Sequence, residues 1–507
     1  MTDSSADATP APAVLSGGGD TVVRGTLLGM AARLAGGVLT AGLTVFLARR
    51  LGSSGFGVFS LGLSIGSLLF LVSDFGVIQA VSRLVAENRH DQSAVADLLG
   101  DGIRLKLVGS LFVGAVLVAL AGVIAHAYGS PRLAPTLRLT ALVLVGMNVL
   151  LLCVGVFTAL RNQALTLTAF FMESAIEVTA SIVLVLALGG PAAATLGRAI
   201  GYLGGAVVAL ALTRRLVGSS ALASILRPHR HLRRIAGDAG ALLIVDGAYV
   251  LFTQVDSLLI GAFLTVTLVG IWQAPLRLIA LMVYPGQAIA SAVGPRLVGS
   301  RDHPPEPEAF LGSVRMLVIV MAAATAVSTA WADPVIQIVL GPSFRTSAGV
   351  LRALAPCVFL SGLGPLVSLG MNYLGQARRR IPIAVATVLL NLAIDLVLIP
   401  RIGVLGGAVG TDIALAIYVP AHFLYCQRAL DLPLEPTVLT LVRSLLAAVA
   451  MGVVMALVGT SHLGAPAIAV GAVLGTAVFA AVLLISREVT PRELRSLWSA
   501  VRRRRVN

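Results

Sequence analysis

The chain has 507 residues, 57% hydrophobic and 12% charged, with a formal net charge of +14 and a mean hydropathy of +0.95. So few charges cannot coat a water-soluble body of this size, which leaves an integral membrane protein. The basic excess does not point to nucleic acid, because it flanks apolar segments and few aromatics interleave it.

Residues 1–23 lack the basic start and apolar run of a cleaved signal and are expected to form a disordered cytoplasmic tail. Continuous apolar segments then recur, each able to cross a hydrocarbon core of roughly 30 Å as a helix of about 20 residues. They fall at 25–47, 56–80, 105–127, 136–160, 165–188, 192–212, 235–261, 268–294, 310–331, 350–373, 381–399, 403–426, 437–459 and 464–486. Because the runs are continuous and not alternating, they read as fourteen transmembrane helices and not barrel strands. The fold class is an all-α integral membrane protein.

Inner segments hold 27 Lys and Arg against 7 in outer loops, so both termini are expected in the cytoplasm. Basic residues concentrate in the linker Arg214–Arg234 and in the tail after the last segment. In that tail Thr490, Pro491 and Glu493 form a helix-start pattern. Leu494, Leu497, Trp498 and Val501 then share one face, suited to anionic membrane lipid or to a plain positive-inside anchor. Cys153, Cys357 and Cys426 stand alone in apolar helices, so neither a disulfide framework nor a metal site is expected. No Walker loop, dinucleotide fingerprint or HExxH motif points to an enzyme.

A shift of about 213 residues aligns the two halves. Gly57-Val58-Phe59 meets Gly270-Ile271-Trp272, and Arg83-Leu84-Val85 meets Arg296-Leu297-Val298. Gly129-Ser130-Pro131 meets Gly341-Pro342-Ser343, and Gly197 meets Gly410. Six helices per repeat give two lobes of one orientation, related by an axis along the membrane normal, with substrate expected between them. The expected parts are an N-lobe at 24–216, a basic linker at 217–234, a C-lobe at 235–430, two further helices at 431–486 and a basic amphipathic tail at 487–507.

The stretches LARRLGSSGFGVFSLGLSIGSLLFLVSDFGVIQAVSRLVAE (47–87), VDSLLIGAFLTVTLVGIWQAPLRL (255–278) and PVIQIVLGPSFRTSAGVLRALAP (334–356) carry a resemblance. In this order they resemble the Wzx-like oligosaccharide flippases of the multidrug/oligosaccharidyl-lipid/polysaccharide (MOP) exporter superfamily. The resemblance implies a V of two six-helix lobes with helices 1, 2, 7 and 8 lining the cavity. It also implies movement of a polyprenyl-diphosphate-linked saccharide to the outer leaflet of the cell membrane, without covalent chemistry. Polysaccharide polymerase and glycosyltransferases are the partners such a protein would serve, and it is expected to work as a monomer. Two rivals stay open: a lipid II flippase, and a multidrug or small-cation exporter of the same superfamily.

Charges within the segments give the candidate site residues. Arg277 lies about eight residues into the eighth segment, roughly 12 Å of rise, too deep for easy snorkelling. An arginine there costs about 2.5 to 3.5 kcal/mol unless it faces protein or water. Diphosphate binding through its planar fork competes with pairing to a neighbouring carboxylate. Arg33 has a similar case in the first segment, and its repeat partner is Asp246, so these two are placed to form and break a salt bridge as the lobes move. Asp74 and Asp256 are open to two readings: accepting protons or sodium for gradient coupling, or neutralising an arginine. Arg198 and Asp238, near segment ends, are expected to be interfacial or paired. Glu173, Glu177, Asp395 and Asp412 form buried seams to which the resemblance gives a structural or lateral role.

Overall fold

The computed structural model describes residues 18–217, 232–298, 306–461 and 463–490, with 18–36, 38, 232–246 and 295 described by backbone alone. Most of the basic linker and the tail from 491 onward lie outside the described residues. The described residues form sixteen α-helices and two short 3-10 turns, with no strand. The first lobe comprises α1 (Gly18–Asp74), α2 (Val77–Glu87), α3 (Gln92–Ala127), α4 (Leu133–Ala159), α5 (Gln163–Ala187) and α6 (Gly190–Val217). The second comprises α7 (Leu232–Phe263), α8 (Val266–Val293), α9 (Pro307–Ala330), α10 (Ala332–Leu340), α11 (Ser347–Ala353), α12 (Ala355–Tyr373), α13 (Ala377–Ile402) and α14 (Val404–Ala429). A C-terminal pair follows, α15 (Glu435–Val458) and α16 (Ala465–Ile485).

Every predicted apolar segment falls on a helix, and twelve helices among the described residues are long and apolar enough to cross a membrane. The first two predicted spans share α1, and of the seventh, on α7, Gly247–Phe263 is described with its side chains. The expected loop at 48–55 is instead a sharp break within α1. Gly52 sits at φ 66°, ψ 178°, a conformation open to glycine, and helix resumes at once. The expected span 56–80 ends earlier, at Asp74, because Phe75 and Gly76 adopt positive φ and Asp74 accepts the amides of Gly76 and Ile78, starting α2. Conversely, α3 begins thirteen residues before the predicted 105, since Asp91 caps it. The Ser93 hydroxyl, then the Ala94 and Ser93 amides, hold the Asp91 carboxyl below the usual carboxylate range.

Burial shows how the lobes meet. At the end with the turns at Gly52, Gly129, Gly189, Thr265 and Gly403, one apolar core runs through both lobes, joining Leu47, Phe56 and Leu133 to Trp272, Phe344 and Leu351. At the opposite end each lobe has its own core. Val81, Leu84, Leu99 and Val156 form one, and Phe310, Leu317, Leu366 and Met371 the other. The lobes therefore share one apolar core at the charge-poor end, whereas at the charge-rich end their cores are separate and they meet where α2 packs against α7.

Glycines allow the closest approach at the joined end. A Cβ on Gly57 would lie 2.0 Å from the Val266 carbonyl oxygen, and one on Gly270 would lie 2.1 Å from that of Ser53. Arg49 adds a cross-lobe contact by donating to the carbonyls of Ile338 and Val339, which α10 leaves free at its C-terminus. Phe56 packs edge-on against Phe344, with centroids 5.8 Å apart.

The C-terminal pair is clamped to α9 at both ends. Glu488, 3% exposed, receives Arg315 at 2.8 Å, Arg443 at 3.3 Å and the Thr440 hydroxyl at 2.7 Å. At the other end the Trp331 indole donates to the carbonyls of Met455 and Gly459.

Candidate substrate cavity and ion site

Arg277 occupies the middle of α8, eleven residues beyond Val266 or about 16 Å of rise. Residues 270–275 of the same helix are buried, whereas the Arg277 side chain is exposed to the space between the lobes. It makes no hydrogen bond or ion pair with any described residue, so the predicted neighbouring carboxylate is not in contact with it. Its electrostatic neighbours are Arg198, Glu177 and Tyr202 of the opposite lobe. Arg198 donates to Glu177 at 2.7 Å and to the Tyr202 hydroxyl at 3.3 Å, and its guanidinium lies 5.2 Å from the Tyr202 ring. The Glu173–Glu177 seam thus faces the cavity arginine, not a lateral surface alone. One guanidinium in the cavity is neutralised by the protein and the other is not.

Side contacts below the joined end follow the repeat. Tyr284 of α8 lies 3.3 Å from a Cβ placed on Gly37 of α1, and Leu71 of α1 lies 3.3 Å from one on Gly247 of α7. Tyr284 and Leu71 are 213 residues apart and Gly37 and Gly247 are 210 apart, so the two contacts fall on equivalent helix pairs but about one turn out of register. Arg33 and Asp246 stand on α1 and α7 near these contacts, but their side chains, like that of Asp238, lie outside the described ones.

Asp74 lies away from Arg277. Its counter-ion is Lys106, fully buried on α3, which also donates to Asn148 at 2.9 Å. Asn148 in turn donates to Ser73 at 2.9 Å. This closed network ties the end of α1 to α3 and α4, and neutralisation comes from a lysine, not an arginine. Lys106 falls at the edge of the apolar run 105–127, so hydropathy alone does not mark it as buried. The Asp91 cap was the signal that α3 starts earlier and carries Lys106 well inside.

Asp256 is 4% exposed on α7 and meets Asn391 and Asp395 of α13 and Thr411 of α14. Thr411 donates to Asp256 at 2.9 Å, and Asn391 donates to Asp395 at 3.0 Å. One oxygen of each carboxylate, Oδ1 in both, and Oδ1 of Asn391 receive no hydrogen bond. Two buried carboxylates side by side, each with an unused oxygen, need a proton or a cation between them. The donors are all oxygens, a set that suits a hard cation and not a thiophilic metal. No cluster of three or more His, Cys, Asp or Glu occurs among the described residues.

The repeat sharpens the contrast between the lobes. Thr411 is equivalent to Arg198, so the position that supplies a cation to Glu177 in the first lobe supplies a hydroxyl to Asp256 in the second. Asp412, the other acid of this seam, accepts the Cys357 amide at 2.9 Å and caps the start of α12. Asp395 therefore joins Asp256 in one buried carboxylate pair, while Asp412 belongs to the helix scaffold.

A sequence profile of the family described as polysaccharide biosynthesis protein matches residues 22–298. The probable low-salt glycan biosynthesis flippase Agl15 of Haloferax volcanii is 25% identical over 403 residues, covering 77% of this chain and 80% of that protein. Among solved structures, a lipid II flippase MurJ in an inward closed conformation aligns with a TM-score of 0.72 at 14% identity. It covers 91% of this chain and 99% of its own. An inward-facing multidrug resistance MATE family transporter of the MOP superfamily aligns at 0.57 with 15% identity, covering 79% of this chain and 99% of its own. These two likenesses show the fold.

Proposed function

Because the chain belongs to the polysaccharide biosynthesis protein family, we propose that it is a flippase for a polyprenyl-diphosphate-linked oligosaccharide. The substrate moves from the cytoplasmic to the outer leaflet of the cell membrane by alternating access. The carrying observation is Arg277, a guanidinium exposed between the lobes with no ion pair to any described residue. Such a group in a low-dielectric space calls for an anion, and a diphosphate matches its fork with two parallel hydrogen bonds. No covalent bond is made or broken.

The basic linker and tail support an orientation with both termini in the cytoplasm. On that orientation the shared core supports closure of the outer side, and the inner side, where the cores are separate and α2 packs on α7, would part there to receive substrate. Anionic lipid against the tail, service to glycosyltransferases and a polymerase, and action as a monomer complete the proposal. Asp256, Asp395, Asn391 and Thr411 are the site for a coupling sodium ion or proton.

A lipid II flippase is the second reading, favoured by the fold likeness over 91% of the chain; it shares the diphosphate chemistry and differs in the saccharide. The two are separated by deletion and complementation. Loss of the gene should leave lipid-linked oligosaccharide on the cytoplasmic leaflet and deplete surface glycan while cell-wall precursor is still exported. Accumulation of lipid II selects the second reading, and unchanged pools of both lipids with intact glycan overturn the function.

A further inference from the structure

A second polar cluster stands in the C-lobe, at its charge-rich end and away from Arg277. Arg380, on the first turn of α13, turns inward and donates to Asn372 at 2.8 Å and to the Tyr418 hydroxyl at 3.4 Å. That hydroxyl also meets Ser368 at 3.1 Å. His422, fully buried one turn further along α14, stacks on the Tyr418 ring with centroids 4.0 Å apart. Three helices, α12, α13 and α14, converge to make this cluster.

Its hydrogen bonding is incomplete. Arg380 makes no ion pair with a described residue, and its buried Nε has no acceptor. His422 Nδ1 is bonded to the Tyr418 carbonyl at 2.8 Å, while its buried Nε2 has no partner. The adjacent Arg378 and Arg379 are exposed, and Arg379 lies over the Tyr425 ring at 5.9 Å. Three consecutive cations thus stand where no described residue supplies a carboxylate, and the partly buried one, Arg380, gains most from a counter-ion.

The fold itself does not require the cluster. Residues 213 positions earlier, equivalent to Ser368, Asn372, Arg380, Tyr418 and His422, are Gly155, Ala159, Leu167, Gly205 and Ala209. The same three-helix junction in the first lobe is therefore built from apolar and small side chains. Depth supports a lipid ligand as well. Tyr418 lies eleven residues, about 16 Å of rise, from the end of α14, while Arg380 is at the start of α13. The cluster spans the depth at which a head group passes into acyl chains. Tyr249, exposed on α7, is within electrostatic reach of Tyr418, so the cluster borders a helix expected to line the cavity.

We propose that Arg380, Asn372, Ser368 and Tyr418 form a phosphate-binding site for a lipid head group, distinct from Arg277 and filled from the charge-rich side. Arg380 supplies the charge and fork, while the Ser368 and Tyr418 hydroxyls and the Asn372 amide supply further donors. The site is a loading station that holds a phosphate-bearing lipid beside the inner mouth of the cavity. Only the identity of that lipid as the transported one rests on the flippase reading.

The test uses the full-length protein in nanodiscs of neutral lipid and the probe farnesyl diphosphate, measured by calorimetry. Arg277→Ala should still bind one probe molecule. Adding Arg380→Ala should weaken this remaining binding by about tenfold or more, as expected for loss of charge-assisted hydrogen bonds, and adding Tyr418→Phe by about threefold. Tyr418→Phe keeps the ring packed on His422, so its effect does not depend on a damaged fold. Displacement by inorganic diphosphate, or by phosphatidylglycerol added to the nanodisc, supports the site and tells which source of phosphate fills it. Absence of binding in Arg277→Ala, or equal binding in the single and both double variants, overturns the proposal. Failure of the flippase reading reads out separately, as absent lipid translocation with this binding intact.

Discussion

Gly57 and Gly270 touch backbone to backbone across the two lobes, and each is the other's counterpart in the repeat. Because the contacts are reciprocal, with Gly57 against the carbonyl of Val266 and Gly270 against that of Ser53, the pair lies beside the pseudo-two-fold axis. A methyl group at either position would sit about 2 Å from a carbonyl oxygen and force the helices apart. Gly57→Ala and Gly270→Ala should therefore favour the state that is open at this end. With Ser64→Cys as a buried reporter one to two turns deeper, labelling by an impermeant maleimide from outside should rise while transport falls. Unchanged labelling in both variants would show that this contact is not the outer closure.

Removing Arg277 should lower translocation in proteoliposomes by about 10- to 100-fold, the equivalent of charge-assisted hydrogen bonds worth about 1.5 to 3 kcal/mol. Arg277→Lys keeps the charge without the fork and should retain part of the activity. If Arg277→Ala transports normally, the diphosphate contact lies elsewhere.

Lys106 and Asp74 make a prediction about stability. Lys106→Met leaves a buried carboxylate without its counter-ion and should cost about 3 to 5 kcal/mol, read as a lower melting temperature in detergent. Adding Asp74→Asn should restore most of the loss. A double variant no better than the single would mean that the lysine acts through packing alone.

Asp395→Asn leaves Asp256 as the single acid of its cluster. Lipid translocation driven by an imposed sodium or proton gradient should lose its dependence on that gradient, while Arg277-dependent binding of the lipid persists. Imposing the two gradients separately identifies the ion. A variant as gradient-dependent as the parent would remove this cluster from coupling.

Arg33→Asp and Asp246→Arg should each impair transport, and together restore it, if the equivalent positions on α1 and α7 pair in one state of the cycle. Surface glycan in a deletion strain provides the readout, with both proteins checked for expression. Lack of rescue would assign the two charges to separate partners.

The helices were legible because a membrane-spanning segment must be apolar over its whole length, and the repeat was legible because glycines and arginines recur at one spacing. Arg277 stood out from its local cost alone. What the sequence hid depended on helices meeting in space. Lys106 looked like a flanking charge until the Asp91 cap lengthened α3, and its partner is 32 residues away. Asp256, Asn391, Asp395 and Thr411 come from three helices, and only their shared junction reveals two carboxylates with unused oxygens. Gly57 and Gly270 could be aligned from sequence, but their contact follows from where the axis falls.

The C-terminal pair has a consequence for the surroundings of the molecule. Glu488 and Trp331 fasten α15 and α16 to α9, which is the repeat counterpart of α3. No such pair packs on α3 among the described residues, and its Val108, Phe112 and Val123 are each at least 66% exposed. Counterpart helices of the two lobes thus meet different surroundings, protein beside α9 and acyl chains beside α3. A sideways route for a long isoprenoid tail would then have a preferred hand, although the two lobes share one backbone plan.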